Sequence, residues 1–170
     1  MATRVVRPEQ HHRAAWDHLY QGYARFYRVE QTPAMRDRVW GWIHDPGHEV
    51  ECLLAVDDQG TVEEPGGNAH GAVVDRRGGT NARVVGLAHF RQFARPLAAT
   101  SGGYLDDLFV EAGSRGSGAA TLLLTALGDE ARLRGWSVIR WITAEDNYRA
   151  RGLYDKVARR TPWVTYDLLP

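Results

Sequence analysis

The chain is short of lysine, cysteine and net charge, and each shortage excludes something. Lys156 is the only lysine among 170 residues. A nucleotide-triphosphate loop needs Lys and Ser/Thr directly after its second glycine. After Gly113–Gly118 the chain offers Ala119 and Ala120 instead. Cys52 is the sole cysteine, so no disulfide can close within the chain, and a reducing, cytoplasmic setting is expected. Its apolar surroundings predict a buried structural thiol rather than a nucleophile. Twenty-one basic residues balance twenty-one acidic ones. That balance argues against broad electrostatic binding to nucleic acid or to an anionic membrane. No apolar run approaches the roughly 18 residues of a membrane span, and a signal-peptide core is not expected at the N-terminus. His11, His12 and His18 lack acidic partners at ligand spacing, so no metal is expected there.

What is present fits one ordinary globular domain over residues 1–170, with 44% apolar and 25% charged residues. Thr3–Val6 reads as a strand. A helix opens at Pro8 and runs to about Ala24, with Ala15, Leu19 and Tyr23 at helical spacing. Ala34–His44 reads as a second helix, stopped by Asp45-Pro46-Gly47. Strands are expected at Val50–Val56, Ala82–Phe93 and Gly103–Val110, with a long Gly- and acid-rich loop over 57–81. Gly118–Arg134 is a long helix ended by Gly135. Ser137–Thr143 is a fifth long strand, Asn147–Val157 a further helix, and Trp163–Leu168 a final strand. The expected architecture is α/β: a three-layer α/β/α sandwich on a mixed central sheet.

The most informative stretch is Leu105 to Val110 running into Ser114 to Ala120. A strand ends in a glycine-rich turn, and an apolar-striped helix follows. Backbone N–H groups are left unpaired at that helix start, where the macrodipole favours an anion. Gly116 and Gly118 let the backbone approach a diphosphate. The dinucleotide fingerprint G-x-G-x-x-G begins at Gly116 and Gly118 but meets Thr121. One helix and one strand later comes Asn147-Tyr148-Arg149-Ala150-Arg151-Gly152-Leu153-Tyr154-Asp155-Lys156.

These two segments resemble the cofactor motifs of the GNAT N-acetyltransferase superfamily. Arg115, Gly118 and Ala120 satisfy its [QR]-x-x-G-x-[GA] pyrophosphate loop, and the second segment matches its N-x-x-A-x-x-L-Y-x-K pattern. The resemblance implies a sheet splayed between Gly103–Val110 and Ser137–Thr143, with acetyl-CoA as co-substrate in the gap. Leu108, Phe109, Val110, Arg115, Gly116, Ser117, Gly118, Ala119, Ala120, Asn147 and Tyr154 would hold it. Asn147 and Tyr154, seven apart, would share a helix face, with Asn147 on the pantetheine arm and Tyr154 at the sulfur. A strand bulge near Phe109 and Val110 would aim a backbone N–H at the oxyanion. The resemblance also suggests a homodimer.

Acetyl transfer to an amine needs a sink for the amine proton and a donor for the departing thiolate. A phenol with a pKa of roughly 10 suits the second task, which Tyr154 would perform. Asp106 and Asp107 are adjacent on a strand and should point to opposite faces. Leu105-Asp106-Asp107-Leu108 is similar to the Leu-Glu-Asp-Leu segment of diamine acetyltransferases, which makes Asp106 the expected base and Asp107 a structural partner. The expected activity is direct transfer to a primary amine of a small-molecule or amino-acid-like acceptor. A protein lysine or N-terminus as acceptor, and a non-catalytic acyl-CoA sensor, stay open. Tyr23, Phe26, Tyr27, Trp40 and Trp42 are either core or an acceptor wall, and His89 is expected to be a satisfied core histidine.

Overall fold

The computed structural model describes residues 2–59 and 81–170. In chain order these form β1 (Thr3–Val6), α1 (Arg13–Tyr27, after a short 3-10 turn at Gln10–His12), α2 (Pro33–His44), β2 (Glu51–Gln59), β3 (Asn81–Arg95), β4 (Thr100–Val110), α3 (Ala119–Arg134), β5 (Ile139–Arg140) and α4 (Tyr148–Val157). Sheet order follows chain order. β1 to β4 are antiparallel, and β5 joins β4 in parallel after the α3 crossover. The expected loop over 57–81 lies outside the described residues, apart from its ends, which continue β2 and β3.

Side-chain alternation along the strands builds two cores. On β2, Leu53 and Ala55 face α3, where Ala119, Leu123, Leu127 and Ala131 form a stripe at helical spacing. Cys52, Leu54 and Val56 face the other way, against Ala15, Trp16 and Leu19 of α1 and Trp40 of α2. Helices therefore cover both faces, and the three layers are those expected. A register shift at Ala55/Val56 leaves Val85 of β3 as an extra residue, after which the alternation of β3 resumes in phase with both cores. Truncating a fully buried stripe residue such as Leu127 to Ala would cost about 2–5 kcal/mol.

Two ion networks pin the periphery. Glu51 accepts from Arg134 (2.7 Å) and Arg7 (2.9 Å), tying β2 to the end of α3 and to the segment after β1. Burial pushes the Glu51 carboxyl up, but the arginines outweigh it and hold it below its ordinary value. Asp17 of α1 behaves likewise: burial raises it, and Arg36 of α2 and Arg13 more than offset that.

One expected strand is much shorter than read from the sequence, and another is not there. Only Ile139 and Arg140 of the 137–143 stretch pair with β4, opposite Gly103 and Tyr104. A Cβ on Gly103 would collide with the Trp136 ring, so the two strands close tightly at that point. Beyond it β4 runs on to Val110 while the chain after Arg140 leaves the sheet. Trp163–Leu168 also forms no strand. The two-residue β5 offers it no ladder, and Trp163, Tyr166 and Leu168 are exposed.

Candidate functional site

Divergence of the chain from β4 beyond Tyr104 opens a cleft of about 400 Å³. Its floor is the end of β4, with Leu108, Phe109 and Val110 among the lining residues. Glu111 donates its N–H to Val85 across the sheet (2.9 Å). Backbone groups of successive strand residues point to alternate edges. The N–H groups of Leu108 and Val110 therefore point into the opening. Val110 confirms the direction: its carbonyl accepts from Arg115 Nε at 3.2 Å on the cleft side.

One wall is the turn before α3. Gly116 and Gly118 have φ of 92° and 90°, a left-handed backbone that side chains with a Cβ rarely adopt. Gly118 is the N-cap of α3 and supplies no side-chain cap, and the first turn has no acidic residue. The start of α3 thus presents a positive dipole end and backbone donors to the cleft, with Gly116, Gly118, Ala119 and Ala120 on the lining. Ser117 is turned away from the lining, and its Oγ accepts from the Ala119 N–H at 3.4 Å. Arg115 lies within the cleft, its guanidinium 5.7 Å from the Phe26 ring centre and 5.8 Å from that of Phe109. That placement joins cation–π contact to a position beside the anion cradle.

The opposite wall is α4. Asn147 is its N-cap rather than a residue on its face. The Asn147 Oδ1 accepts from the Ala150 N–H at 3.4 Å, and Nδ2 donates to Thr143 Oγ1 at 3.3 Å. Asn147 and Tyr154 still line the same cleft, with Ala150 and Leu153 between them. Tyr154 packs edge-on to Trp141, with ring centres 5.2 Å apart. Burial, with a smaller contribution from Tyr27, pushes its phenol up to about 12. The phenol therefore stays protonated across any working pH. It is less acidic than the sequence alone suggests, and what it offers the cleft is a hydrogen-bond donor.

The third wall comes from α1: Tyr23, Phe26 and Tyr27 line the cleft, which settles them as wall rather than core. Gly22 allows the approach, because a Cβ there would stand 3.2 Å from the Phe109 ring. Arg149 and Thr121 also line the cleft. No pattern in the sequence singled them out.

Of the two carboxylates, Asp106 departs from expectation while Asp107 makes the structural pairing expected of it. β3 pairs His89 with Asp107 and Phe90 with Leu105, so Asp106 is an extra residue: the bulge falls there, not at Phe109 and Val110. Simple alternation between Asp106 and Asp107 fails for that reason. Asp106 does not line the cleft with Tyr154. It is about a third exposed and bound to Arg91 Nε at 3.3 Å. Burial raises its carboxyl, and Arg91 only partly counters this. Asp107 points inward and accepts from His89 Nδ1 at 2.8 Å. His89 is the satisfied core histidine expected of it, its other nitrogen 2.9 Å from Trp16 Nε1. Cys52 is buried beneath α1 and lies outside the cleft. Among the described residues no three or more His, Cys, Asp or Glu side chains cluster as metal ligands would, and no helix is long and apolar enough to cross a membrane.

A mixed sheet opened beside its fourth strand, with a glycine-turned helix start on one side of the gap and a capped helix bearing a tyrosine on the other, defines the acyl-CoA N-acyltransferase class. The chain matches the Acetyltransferase (GNAT) family over residues 16–158 and belongs to it. It is 24% identical over 166 residues to the D-amino-acid N-acetyltransferase HPA3 of Saccharomyces cerevisiae, covering 98% of this chain and 89% of that one. Its fold is like that of a ribosomal-protein-alanine N-acetyltransferase from Brucella melitensis biovar Abortus 2308, with TM-score 0.72, 20% identity and 99% of both chains covered. It is also like that of an aminoglycoside acetyltransferase from an uncultured soil metagenomic sample, with TM-score 0.69, 13% identity, and 99% and 97% covered. The protein is an N-acetyltransferase.

Proposed function

We propose that this enzyme moves the acetyl group of acetyl-CoA directly to the primary amine of a small or amino-acid-like acceptor. The observation that carries the reading is the single cleft in which the helix-start cradle, the open edge of β4 and Tyr154 meet. A diphosphate fits the cradle on two grounds: backbone donors and a dipole end face it, and the glycines there hold a backbone that a side chain would strain. The pantetheine arm would lie along the β4 edge like a missing strand, meeting the N–H groups of Leu108 and Val110. Asn147, Ala150 and Tyr154 flank it.

In this reading a backbone N–H of that edge receives the carbonyl oxygen as charge develops on it. Tyr154 donates its hydroxyl proton toward the sulfur as the carbon–sulfur bond breaks. Asp106, open to solvent at the bulge, draws the acceptor's ammonium to the mouth. The amine attacks the thioester without an acyl-enzyme stage, since Cys52 is sealed in the core on the α1 face of the sheet. The likeness to a D-amino-acid acetyltransferase supports an acceptor carrying its amine beside a carboxylate. A homodimer and a cytoplasmic setting belong to the same proposal. Exposed Trp163, Val164, Tyr166 and Leu168 give a second copy an apolar segment to cover.

Release of free thiol from acetyl-CoA, followed across amines, amino acids of both hands and peptides, tests the reading. Turnover confined to small amines or amino acids is the expected outcome. Acetylation of peptides alone would move the acceptor to protein. Tight acetyl-CoA binding with no acceptor consumed would make the protein a sensor.

A further inference from the structure

The proposed transfer leaves the aromatic wall of the cleft without a task, and that wall forms a closed set. Tyr23 and Tyr27 meet edge-on with ring centres 5.0 Å apart, and Tyr27 meets Phe26 in the same way at 5.0 Å. The Arg115 guanidinium lies 5.7 Å from the Phe26 ring centre and 5.8 Å from that of Phe109. Phe109 returns to Tyr23 at 5.9 Å. Four rings and one guanidinium thus touch in a circuit, and all five line the cleft. Only part of this surface is covered. Tyr23 is held from behind, stacked on Tyr20 at 6.3 Å, whereas Phe26 stands 51% exposed and Tyr27 40%. Taking that apolar area out of water is favourable. Ring faces, ring edges and a planar guanidinium reward a flat occupant above an aliphatic one.

The charges of the cleft point one way. Arg115 and Arg149 line it, and among the described residues no Asp or Glu does. A second ammonium on the acceptor would meet like charge there, and a carboxylate would meet its opposite. The two arginines are not equivalent. Arg115 is tied to the Val110 carbonyl at 3.2 Å and lies against two rings. The Arg149 side chain is exposed and, among the described residues, makes no hydrogen bond or ion pair. It stands on α4 five residues before Tyr154, about 7.5 Å along the axis at 1.5 Å per residue. Side chains lean toward the N-terminus of their helix, so the Tyr154 phenol overlies the turn that carries Arg149. An amine beside that phenol places a neighbouring carboxylate within an arginine's reach.

Resting on the proposed acetyl transfer, we infer that the acceptor is an α-amino acid with an aromatic side chain, its ring seated against Phe26 and Tyr27 and its carboxylate on Arg149. These three residues then set specificity, whereas the cradle and Tyr154 serve every acceptor alike. The aromatic wall lowers the polarity around the incoming amine, which favours its neutral, nucleophilic form. A diamine would bring a second charge that no described lining residue answers. An aromatic amine without a carboxylate would fill the wall and leave Arg149 unpaired, so it should bind as a weaker relative of the amino acid.

The test is kcat/KM from thiol release at saturating acetyl-CoA. Phenylalanine, tyrosine and tryptophan of both hands are set against alanine, lysine, phenethylamine and spermidine. The better hand of each aromatic amino acid should exceed alanine by about tenfold or more, and lysine and spermidine should be the poorest. Phe26→Ala, at a half-exposed position, should cut the phenylalanine-to-alanine ratio about tenfold, and Phe26→Tyr should keep it. Arg149→Ala should cut the phenylalanine-to-phenethylamine ratio by about tenfold or more, and Arg149→Lys should recover part of it. Alanine or spermidine turned over as well as phenylalanine overturns the aromatic acceptor while acetyl transfer stands. An Arg149→Ala enzyme that loses acetyl-CoA affinity by calorimetry with that ratio unmoved gives the arginine to the cofactor and overturns its role. A parent that releases no thiol with any amine or peptide overturns the acetyl-transfer reading and this inference together.

Discussion

The two halves of the cleft are made from different material. In the proposed reading the cofactor half is backbone: amides at the start of α3, the unpaired edge of β4, and glycines that hold a left-handed turn. In the same reading the acceptor half is side chain: Tyr23, Phe26 and Tyr27 from α1, with Arg149 from α4. A backbone site suits a ligand that presents the same groups each time, because amides and helix ends do not change with the side chains. A side-chain site can change its acceptor by substitution while the sheet stays as it is. The cofactor half should therefore fail by affinity and the acceptor half by rate.

The largest effect is expected where a side chain intrudes on the backbone half. Ala120→Glu puts a carboxylate on the lining at the start of α3, where it suits the helix dipole and leaves the fold intact. A like charge facing the diphosphate costs several kcal/mol, so acetyl-CoA affinity should fall by roughly a hundredfold or more while Tm holds or rises. Calorimetry and thermal melts measure both. Unaltered affinity would move the diphosphate off α3.

Tyr154→Phe should act on rate instead, lowering kcat by about ten- to a thousand-fold with little change in KM for acetyl-CoA. The parent should show no alkaline loss of kcat from this group until pH nears 12, because burial holds the phenol protonated. An alkaline limb near pH 10 that vanishes in the phenylalanine variant would show an ordinary, unburied phenol. A rise in KM without loss of kcat would place Tyr154 with the binding half.

The smallest effect lies outside the cleft and calibrates the others. Glu51 and Asp17 have carboxyls held below their ordinary values by arginines. Groups lowered in the folded state contribute stability above their unfolded pKa and lose it as pH falls through the folded value. Tm should therefore drop from neutral pH toward pH 3. Glu51→Gln should flatten that fall while destabilising the neutral protein by about 1 kcal/mol, since its partners are partly exposed. Equal acid slopes in parent and variant would show the pair to be solvated.

The contrast also explains how far the sequence could be read. The cradle and the α4 segment are local patterns, because a backbone turn is written in consecutive residues such as Gly116 and Gly118. The apolar stripe of α3 was legible for the same reason. The Trp16–His89–Asp107 chain joins residues far apart in sequence, and nothing local in any one of them announces the others. The bulge at Asp106 is equally silent, since it exists only relative to β3. The fifth strand was overestimated because Val138, Ile139, Trp141 and Ile142 have a strand's composition, while pairing needs a facing strand, and β4 meets this stretch only at Gly103 and Tyr104. The final strand misled in a related way: Trp163–Leu168 has a strand's composition, and its partner is not supplied by the described residues of the same chain.

The position of Asp106 has one more consequence. β3 sets Phe90 opposite Leu105 and His89 opposite Asp107, with Asp106 opposite nothing. Cut out of the chain, it would leave each of those pairings as it stands and the ladder unbroken. The sheet has no need of this residue, which stands about a third exposed and ion-paired with Arg91. A lineage could gain or lose it in a single codon-length event and come away with the same fold and one carboxyl more or fewer on that edge.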